Sequence, residues 1–233
     1  MNLNSDKNKD GSEYIQNFIQ TKVDNIILNG ELYRPTNKNA GICIFVHGSG
    51  SNRFSSRYVA KVLRSYGIGT YLLDLLTLEE EKIDEMTRHL RFDIGMLSKR
   101  VVSVIDHIHK DETLKGSPIG LFGASTGGGA ALLAAYERPN HVKSVVSRGG
   151  RPDLVNAEIL KKIHVPTLFI VGEKDPTVLK LNKVAGNNLG SEIKRLEVIP
   201  DATHLFEEPG CLEKVADLAA QWMKQYLKCK TEE

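Results

Sequence analysis

The stretch from Pro118 to Tyr136, PIGLFGASTGGGAALLAAY, decides the fold. Residues 118–122 form an apolar run typical of a buried strand, and the Ala- and Leu-rich end of the stretch favours a helix. Between them, residues 123–127, GASTG, match G-x-S-x-G, in which a sharp strand-to-helix turn exposes a serine. Small neighbours let the strand and helix approach each other. The sequence therefore predicts a reactive serine, Ser125, at the carboxyl end of a strand.

The same alternation of strands and helices extends along the chain in both directions. An opening hairpin is predicted around Asn29-Gly30, because Asn-Gly between alternating apolar residues favours a tight turn. Strand-like runs occur at residues 41–46, 68–74, 117–123, 142–150, 165–175 and 194–200. Apolar stripes with helical spacing lie between and after them, within residues 58–66, 97–108, 178–189 and 212–226. The charged stretch 78–89 is predicted to be a solvated loop or a short helix.

This alternation predicts the α/β class, with a mostly parallel central sheet flanked by helices. We expect a flexible N-terminal segment over residues 1–20 and a single domain over residues 21–230. The interval of about 17 residues between the strand-like runs 142–147 and 165–171 is too short for a large cap domain. Ligands of open parallel sheets bind at the carboxyl ends of the strands. The candidate site residues are therefore sought there.

Bulk composition excludes several classes of partner. The net charge is only +2, from 31 basic and 29 acidic residues, which gives no reason to expect nucleic acid or an anionic membrane as partner. No apolar run approaches the about 20 residues of a membrane span, and the polar start lacks a secretory signal. Cys43, Cys211 and Cys229 form neither a disulfide framework nor a C-x-x-C metal motif. We expect a cytoplasmic protein without metal or cofactor, as a monomer or homodimer.

A serine hydroxyl needs a base, and histidine is the side chain suited to that role near neutral pH. His204 follows the last strand-like run and precedes the last helical stripe, which places it at the carboxyl edge of the sheet. The other histidines lie in helical stretches, at charged junctions, before a strand or in a glycine-rich loop; they are His47, His89, His107, His109, His141 and His164. His204 is the predicted base.

The base in turn needs a carboxylate to hold its tautomer. Asp175 ends the strand-like run 165–175 and precedes Pro176, which aids a turn. Glu173 on the same loop and Asp201 beside His204 are the alternatives. The order Ser125, Asp175, His204 along the chain is the one found in enzymes with a nucleophile on a strand-to-helix turn. We therefore favour Asp175.

Backbone N–H groups should stabilise the negative charge that develops on the substrate carbonyl oxygen. Thr126 opens the helix after the serine, so its N–H is one candidate. The second donor is expected from the glycine-rich loop FVHGSGSNR, residues 45–53, where Ser49 or Gly50 is the candidate.

With these residues in view, the chain resembles the α/β-hydrolase superfamily and, within it, the dienelactone hydrolase-like group. The resemblance covers roughly residues 22–228. It is carried by ELYRP, FVHGSGSNR, LLDLLT, GLFGASTGGGAAL, VVSRGGRPDL, PTLFIVGEKD and ATHLFEEPG. It implies an eight-stranded, mostly parallel sheet and hydrolysis of esters or lactones without a cofactor. Dienelactone hydrolases proper use a cysteine nucleophile, whereas Ser125 stands here, which favours a general carboxylesterase.

The expected activity is thus hydrolysis of carboxylic esters or lactones with small to medium acyl groups, through an acyl-enzyme. The alternatives are a thioesterase, a peptidase or an acyltransferase with the same three residues, or a binding protein on a hydrolase scaffold. Arg148 and Arg151 flank two glycines after a strand. Because arginine binds carboxylates well and the resembled family uses arginines in this way, either residue is a candidate for holding an anionic substrate group.

Overall fold

The computed structural model describes residues 14–36, 40–47 and 53–228. The strands are β1 (Tyr14–Val23), β2 (Ile26–Pro35), β3 (Ile42–His47), β4 (Gly69–Leu73), β5 (Ile119–Ala124), β6 (Val142–Arg148), β7 (Thr167–Gly172) and β8 (Lys194–Ile199). The helices are α1 (Arg53–Ser65), α2 (Leu78–Thr87), α3 (Ile94–Lys110), α4 (Thr126–Glu137), α5 (Ala157–Leu160), α6 (Pro176–Asn188) and α7 (Cys211–Tyr226). Short 3₁₀ turns occupy Leu90–Phe92 and Pro152–Leu154.

All eight strands belong to one sheet in the order β1-β2-β4-β3-β5-β6-β7-β8. The β1–β2 and β2–β4 pairs are antiparallel, and every pair from β3–β4 to β7–β8 is parallel. Strands β3, β5 and β7 are buried at every residue, which explains their continuous apolar sequences. The predicted α/β class with a mostly parallel central sheet is confirmed, and no large cap domain is evident in the described chain.

Helices cover both faces of the sheet and form two apolar cores. On one face, α3 and α4 bury Leu97, Val101 and several alanines against the sheet. On the other face, α1 and α7 bury Leu63 and Val215. No helix in the described part of the chain has the length and apolar character needed to cross a membrane.

The opening hairpin forms, but its turn was predicted at the wrong place. The chain turns at Asp24 and Asn25, where Asp24 has a left-handed φ of 50°. Gly30 lies inside β2 instead, opposite Ile19 of β1. A Cβ at Gly30 would lie 2.2 Å from Cε2 of Tyr71, so glycine is needed for the close approach of that buried ring. Gly30 is therefore needed for packing across the sheet, and the Asn-Gly pair does not form the turn.

The N-terminal boundary also differs from the expectation. Residues 14–20, assigned from sequence to a flexible segment, form most of β1 and pair along their length with β2. Backbone pairing and the buried side chain of Tyr14 outweigh the polar composition of this stretch. Residues 1–13 lie outside the described residues.

The charged stretch after β4 forms the short helix α2, which is anchored to α3 by Glu80. Thr77 and Glu80 form a reciprocal capping box at the start of α2. Both carboxylate oxygens of Glu80 also accept hydrogen bonds from the buried Arg100 guanidinium, at 2.6 Å each. These bonds to Arg100 hold the pKa of the Glu80 carboxyl below its ordinary value. Glu80 therefore ties the connection after β4 to the core helix α3.

Replacing Glu80 with Gln should lower the free energy of unfolding by about 1–3 kcal/mol near neutral pH, because Arg100 loses a charged partner. A carboxyl with a lowered pKa stabilises the fold above its ordinary pKa and loses that effect as the pH falls through the lowered value. Urea unfolding at a series of pH values should show the wild-type advantage shrinking at acidic pH. Glu79→Gln, an exposed neighbour, is the control and should show little change.

Candidate active site

Ser125 lies on a strained turn between β5 and α4. Its φ of 53° and ψ of −124° are unusual for a residue with a side chain. Three backbone hydrogen bonds hold this conformation: Ser125 N–H donates to Arg148 O at 3.1 Å, and Ser125 O accepts from the N–H groups of Gly128 and Arg151 at 3.0 Å each. Such strain, fixed by surrounding bonds, is typical of functional positions. The turn matches the conformation expected from the sequence motif.

Gly127 is required because α4 begins against the end of β3. A Cβ on Gly127 would lie 2.1 Å from the carbonyl oxygen of Val46, a distance that no side chain tolerates. The helix therefore starts at the junction of β3 and β5, directly beside Ser125. Thr126, the first residue of α4, is buried, and its N–H belongs to the first turn, where no intrahelical acceptor exists. This geometry agrees with an anion site at the helix start.

The second predicted oxyanion donor cannot be placed. Ser49 and Gly50 both lie outside the described residues, which resume at Arg53. His47, the last described residue before this gap, is buried at the end of β3 and pairs in register with Ala124. The described part of β3 thus ends beside the residue that precedes Ser125.

His204 and Asp175 contact each other at the carboxyl edge of the sheet. Nδ1 of His204 lies 2.6 Å from Oδ2 of Asp175, and the side chains are 37% and 15% exposed, respectively. The other oxygen of Asp175 accepts from Val178 N–H at 3.4 Å and so caps α6. A carboxylate beside Nδ1 favours the tautomer with a proton on Nδ1, which leaves Nε2 as an acceptor. The pair has the geometry of an oriented base.

The two alternative carboxylates have other partners. Oε2 of Glu173 accepts from the backbone N–H of Asp201 at 3.0 Å. Asp201 itself pairs with the Lys174 ammonium at 2.9 Å. Both side chains therefore form bonds between the loop after β7 and the loop that leads to His204. Asp175 is the carboxylate that contacts the His204 ring.

The loop after β6 supports both halves of the site, a feature that the sequence did not reveal. Gly149 has a φ of 52°, and a Cβ there would lie 3.2 Å from Cε1 of His204. The preceding Arg148 is 2% exposed. Its guanidinium donates to Leu205 O at 2.9 Å and lies 4.9 Å from the centre of the Phe206 ring. Burial lowers the pKa of the Arg148 guanidinium to about 10. The backbone carbonyl of Arg148 accepts from Ser125 N–H while its guanidinium bonds Leu205 O, so the residue connects the turn of Ser125 with the loop of His204.

Arg151, the other candidate arginine, lies nearer the surface. It pairs through two hydrogen bonds of 2.8 Å with Asp153, and its side chain is 30% exposed. Its backbone N–H donates to Ser125 O, so the residue lies beside the turn of Ser125. The two arginines, which could not be distinguished from the sequence, thus have different surroundings in the structure.

The cysteines and possible metal ligands add little to this site. Cys43 and Cys211 are buried free thiols, and Cys229 lies outside the described residues. Burial raises the pKa of the Cys43 thiol, which keeps it protonated and a poor nucleophile. Among the residues that the structure describes, no group of three or more His, Cys, Asp or Glu side chains could hold a metal ion.

A Gly149→Ala variant should separate backbone strain from contact with His204. An alanine at a left-handed φ costs about 1–2 kcal/mol, so the free energy of unfolding should fall by that amount. Gly116→Ala is the matched control, because Gly116 has a φ of 87° and open space where a Cβ would lie, with no atom within 4 Å. Urea unfolding should show similar losses in both variants. The imidazole NMR resonances of His204 should shift in Gly149→Ala alone; equal spectra would contradict the contact.

Comparison with known proteins identifies the family to which the fold belongs. A family model described as "Alpha/beta hydrolase domain" matches residues 39–227. A solved structure of dienelactone hydrolase from Anabaena variabilis is 47% identical, with a TM-score of 0.87, and the match covers 92% of this chain and 99% of that one. Est1E from Butyrivibrio proteoclasticus shares the fold at 18% identity and a TM-score of 0.74, over 89% of this chain and 98% of that one.

Two related sequences come from two strains of Mycobacterium tuberculosis, and both bear the name "Putative phosphoribosyl transferase". Each is 48% identical to this chain over 192 residues. The match covers 82% of this chain but 42% of each relative, so the chain spans less than half of their length. Human monoglyceride lipase is 28% identical over 118 residues, which is 49% of this chain and 36% of the lipase. By the family model and by the dienelactone hydrolase structure, this chain belongs to the alpha/beta hydrolase family and resembles its dienelactone hydrolase-like group.

Proposed function

We propose that the protein is a serine hydrolase that cleaves carboxylic esters or lactones of small to medium acyl groups. Ser125 is the nucleophile, His204 the base and Asp175 the residue that orients the base. The observation that carries the proposal is the 2.6 Å contact between His204 and Asp175 at the same sheet edge as the strained Ser125 turn. The membership of the hydrolase family supports it.

In the first half of the proposed reaction, Ser125 Oγ attacks the carbonyl carbon while Nε2 of His204 takes the hydroxyl proton. Asp175 stabilises the imidazolium that forms. Thr126 N–H, with a second N–H from Ser49 or Gly50, stabilises the oxyanion. His204 then gives its proton to the leaving oxygen, and the bond between the carbonyl carbon and that oxygen breaks. The products are an alcohol and an ester on Ser125.

Water completes the reaction. His204 takes a proton from the water molecule as its oxygen attacks the acyl carbon of the Ser125 ester. The bond to Ser125 Oγ then breaks, and His204 returns the proton to Oγ. The carboxylic acid leaves and the free serine is restored. Each group ends in its starting protonation state, so the cycle needs no cofactor.

Other acyl-transfer reactions could use the same three residues. A thioesterase, a peptidase or an acyltransferase differs in the leaving group or in the acceptor, and not in the nucleophile, base and carboxylate. We favour ester hydrolysis because the 47% identical structure bears the name dienelactone hydrolase. A binding protein on this scaffold would not require the strained serine or the His204–Asp175 pair.

The transferase name of the mycobacterial relatives does not conflict with a hydrolase. The region they share with this chain is 192 residues long, and the hydrolase family model matches residues 39–227, so the two matches overlap over most of their length. The shared region is 42% of each relative. We infer that the shared region supplies the hydrolase part of those longer proteins. The transferase activity in their name would then belong to the remaining length.

Ser125→Ala should abolish the hydrolysis of short p-nitrophenyl esters, with a loss of kcat of at least roughly a thousandfold, because the nucleophile is removed. Ser65→Ala, an exposed serine at the end of α1, is the control and should keep full activity. A fluorophosphonate probe followed by mass spectrometry should label Ser125 in the wild type.

Each other outcome has a definite meaning. Equal ester hydrolysis by Ser125→Ala and the wild type would show that the nucleophile is wrong. Labelling of Ser125 without ester hydrolysis would leave the nucleophile in place and favour a thioester or peptide substrate. If the wild type showed neither labelling nor hydrolysis, the binding-protein alternative would replace the proposal.

We further propose that Arg151 binds an anionic group on the leaving side of the substrate. It is the more accessible of the two candidate arginines and lies beside Ser125. The wild type should hydrolyse 3-acetoxybenzoate with a higher kcat/KM than phenyl acetate, which has the same acyl group. Arg151→Gln should reduce this preference by up to about fivefold, the effect of a partly exposed ion pair. An equal loss for both esters would assign Arg151 a structural role.

A further inference from the structure

Helix α6 carries a buried asparagine, Asn182, that bonds the loop after β6. The side chain is 0% exposed. Its Nδ2 donates to Gly150 O at 2.9 Å and to Val178 O at 2.8 Å. An amide nitrogen has two N–H groups, so both donors are used. The bond to Val178 stays within α6, whereas the bond to Gly150 joins α6 to a different segment of the chain.

Gly150 lies between two residues that contact the proposed catalytic groups. The preceding Gly149 lies against the His204 ring, because a Cβ there would be 3.2 Å from Cε1. The following residue, Arg151, donates its backbone N–H to Ser125 O at 3.0 Å. The position of Gly150 therefore affects the contact with the nucleophile and the contact with the base together.

Two helices confine Gly150. From α4, Gly128 approaches so closely that a Cβ on it would lie 2.8 Å from Cα of Gly150. From α6, the amide of Asn182 is the one hydrogen-bond donor to Gly150 O among the described residues. Packing thus restricts where Gly150 lies, and the bond from Asn182 fixes the direction of its carbonyl.

The same helix begins at the third member of the proposed site. One oxygen of Asp175 lies 2.6 Å from Nδ1 of His204, and the other accepts from Val178 N–H at 3.4 Å. Val178 O in turn accepts from Asn182. Within its first two turns, α6 is therefore bonded both to the His204 ring and to the loop that contacts Ser125.

Stability alone does not explain an asparagine at this position. Its Oδ1 is buried and has no hydrogen-bond partner among the described residues, which is unfavourable. A leucine has nearly the same shape and would remove that cost, while the buried Gly150 would lose the partner of its carbonyl. One unpaired carbonyl would replace another, so the exchange should change stability little. The two N–H donors are what asparagine supplies and leucine does not.

We propose that Asn182 is a positioning residue of the active site. Its amide fixes the carbonyl of Gly150 and so holds the loop after β6 where it contacts Ser125 and His204. Asn182 acts through that loop and touches no reacting atom. A displacement of about 1 Å can cost about a hundredfold in rate, so a single bond to this loop is important. The inference rests on the proposed function for its effect on kcat, whereas its effect on the loop can be measured without turnover.

Two variants remove the bond to Gly150. Asn182→Leu should lower kcat for p-nitrophenyl acetate about ten- to a hundredfold and leave KM nearly unchanged. Its urea midpoint should move by less than about 0.5 M. Asn182→Ser retains a single O–H, which in a helix donates to the carbonyl four residues earlier, here Val178 O. It should lose kcat to a similar extent, and it carries the test if the leucine variant does not fold.

Asn188→Leu is the matched control. Asn188 lies on the same helix and donates to Val184 O at 3.0 Å, which is again the carbonyl four residues earlier. It makes no hydrogen bond to residues 149–151, all of which the structure describes. Its kcat and urea midpoint should match those of the wild type. An equal loss of kcat in Asn188→Leu and Asn182→Leu would assign the effect to α6 as a whole and overturn the proposal.

Amide hydrogen exchange measures the loop itself. The N–H of Gly149 donates to Ile170 O at 2.7 Å, and the N–H of Arg151 is bonded to Ser125. In Asn182→Leu both should exchange about five- to tenfold faster, the effect of one lost hydrogen bond on local opening. The N–H of Val145, bonded to Pro166 O at 2.9 Å within the sheet, should exchange at the wild-type rate.

The imidazole NMR resonances of His204 should also shift in both Asn182 variants, although Asn182 does not touch the ring. Faster loop exchange and shifted His204 resonances in a protein that hydrolyses no ester would overturn the proposed function and keep Asn182 as the residue that holds the loop. Ester hydrolysis with unchanged kcat in both Asn182 variants, or with unchanged loop exchange, would overturn the role of Asn182 alone.

Discussion

The close approach of α4 to the ends of β3 and β5 is the constraint on which the site depends. The carbonyl of Val46 occupies the space where a side chain on Gly127 would lie. The turn between β5 and α4 must therefore be tight, and its tightness gives Ser125 a positive φ. A conformation of this kind costs about 1–3 kcal/mol and persists because neighbouring structure fixes it. Here Arg148 at the end of β6 and Arg151 in the loop after it supply hydrogen bonds to both backbone polar groups of Ser125.

The end of β6 also connects the turn of Ser125 to the loop that carries His204. Arg148 accepts from Ser125 through its carbonyl and donates to Leu205 through its guanidinium, so one residue bonds both loops. Gly149 lies against the His204 ring. Asp175, which follows β7 and caps α6, contacts Nδ1 of the same ring. Ser125, Asp175 and His204 thus come from separate segments that follow β5, β7 and β8, and Arg148 of β6 bonds both the turn of Ser125 and the loop of His204. Their alignment is a property of the sheet and not of any single segment.

Local patterns predicted the parts of the fold in which local and tertiary preferences agree. The continuous apolar runs became buried parallel strands, because helices cover both faces of the sheet. The Asn29-Gly30 signal was misleading because Gly30 serves the Tyr71 ring, a contact 41 residues away in sequence that no local pattern contains. Ser125, Asp175 and His204 each follow a strand-like run, and this pattern predicted that they lie at one edge of the sheet. The sequence also favoured Asp175 over Glu173 and Asp201, and in the structure the Asp175 carboxylate contacts His204 while the other two have backbone or lysine partners.

The near-neutral composition conceals an uneven distribution of charge around Ser125. On the β6 side lie Arg148 and Arg151, the first buried beneath the histidine loop and the second beside Asp153. On the β4 side lie Glu31 and Asp74, and Arg57 donates to both carboxylate oxygens of Glu31. Under the proposed function His204 gives its proton to the leaving oxygen, so Arg151, on the same side of Ser125, would act on the alcohol part of an ester and not on its acyl part.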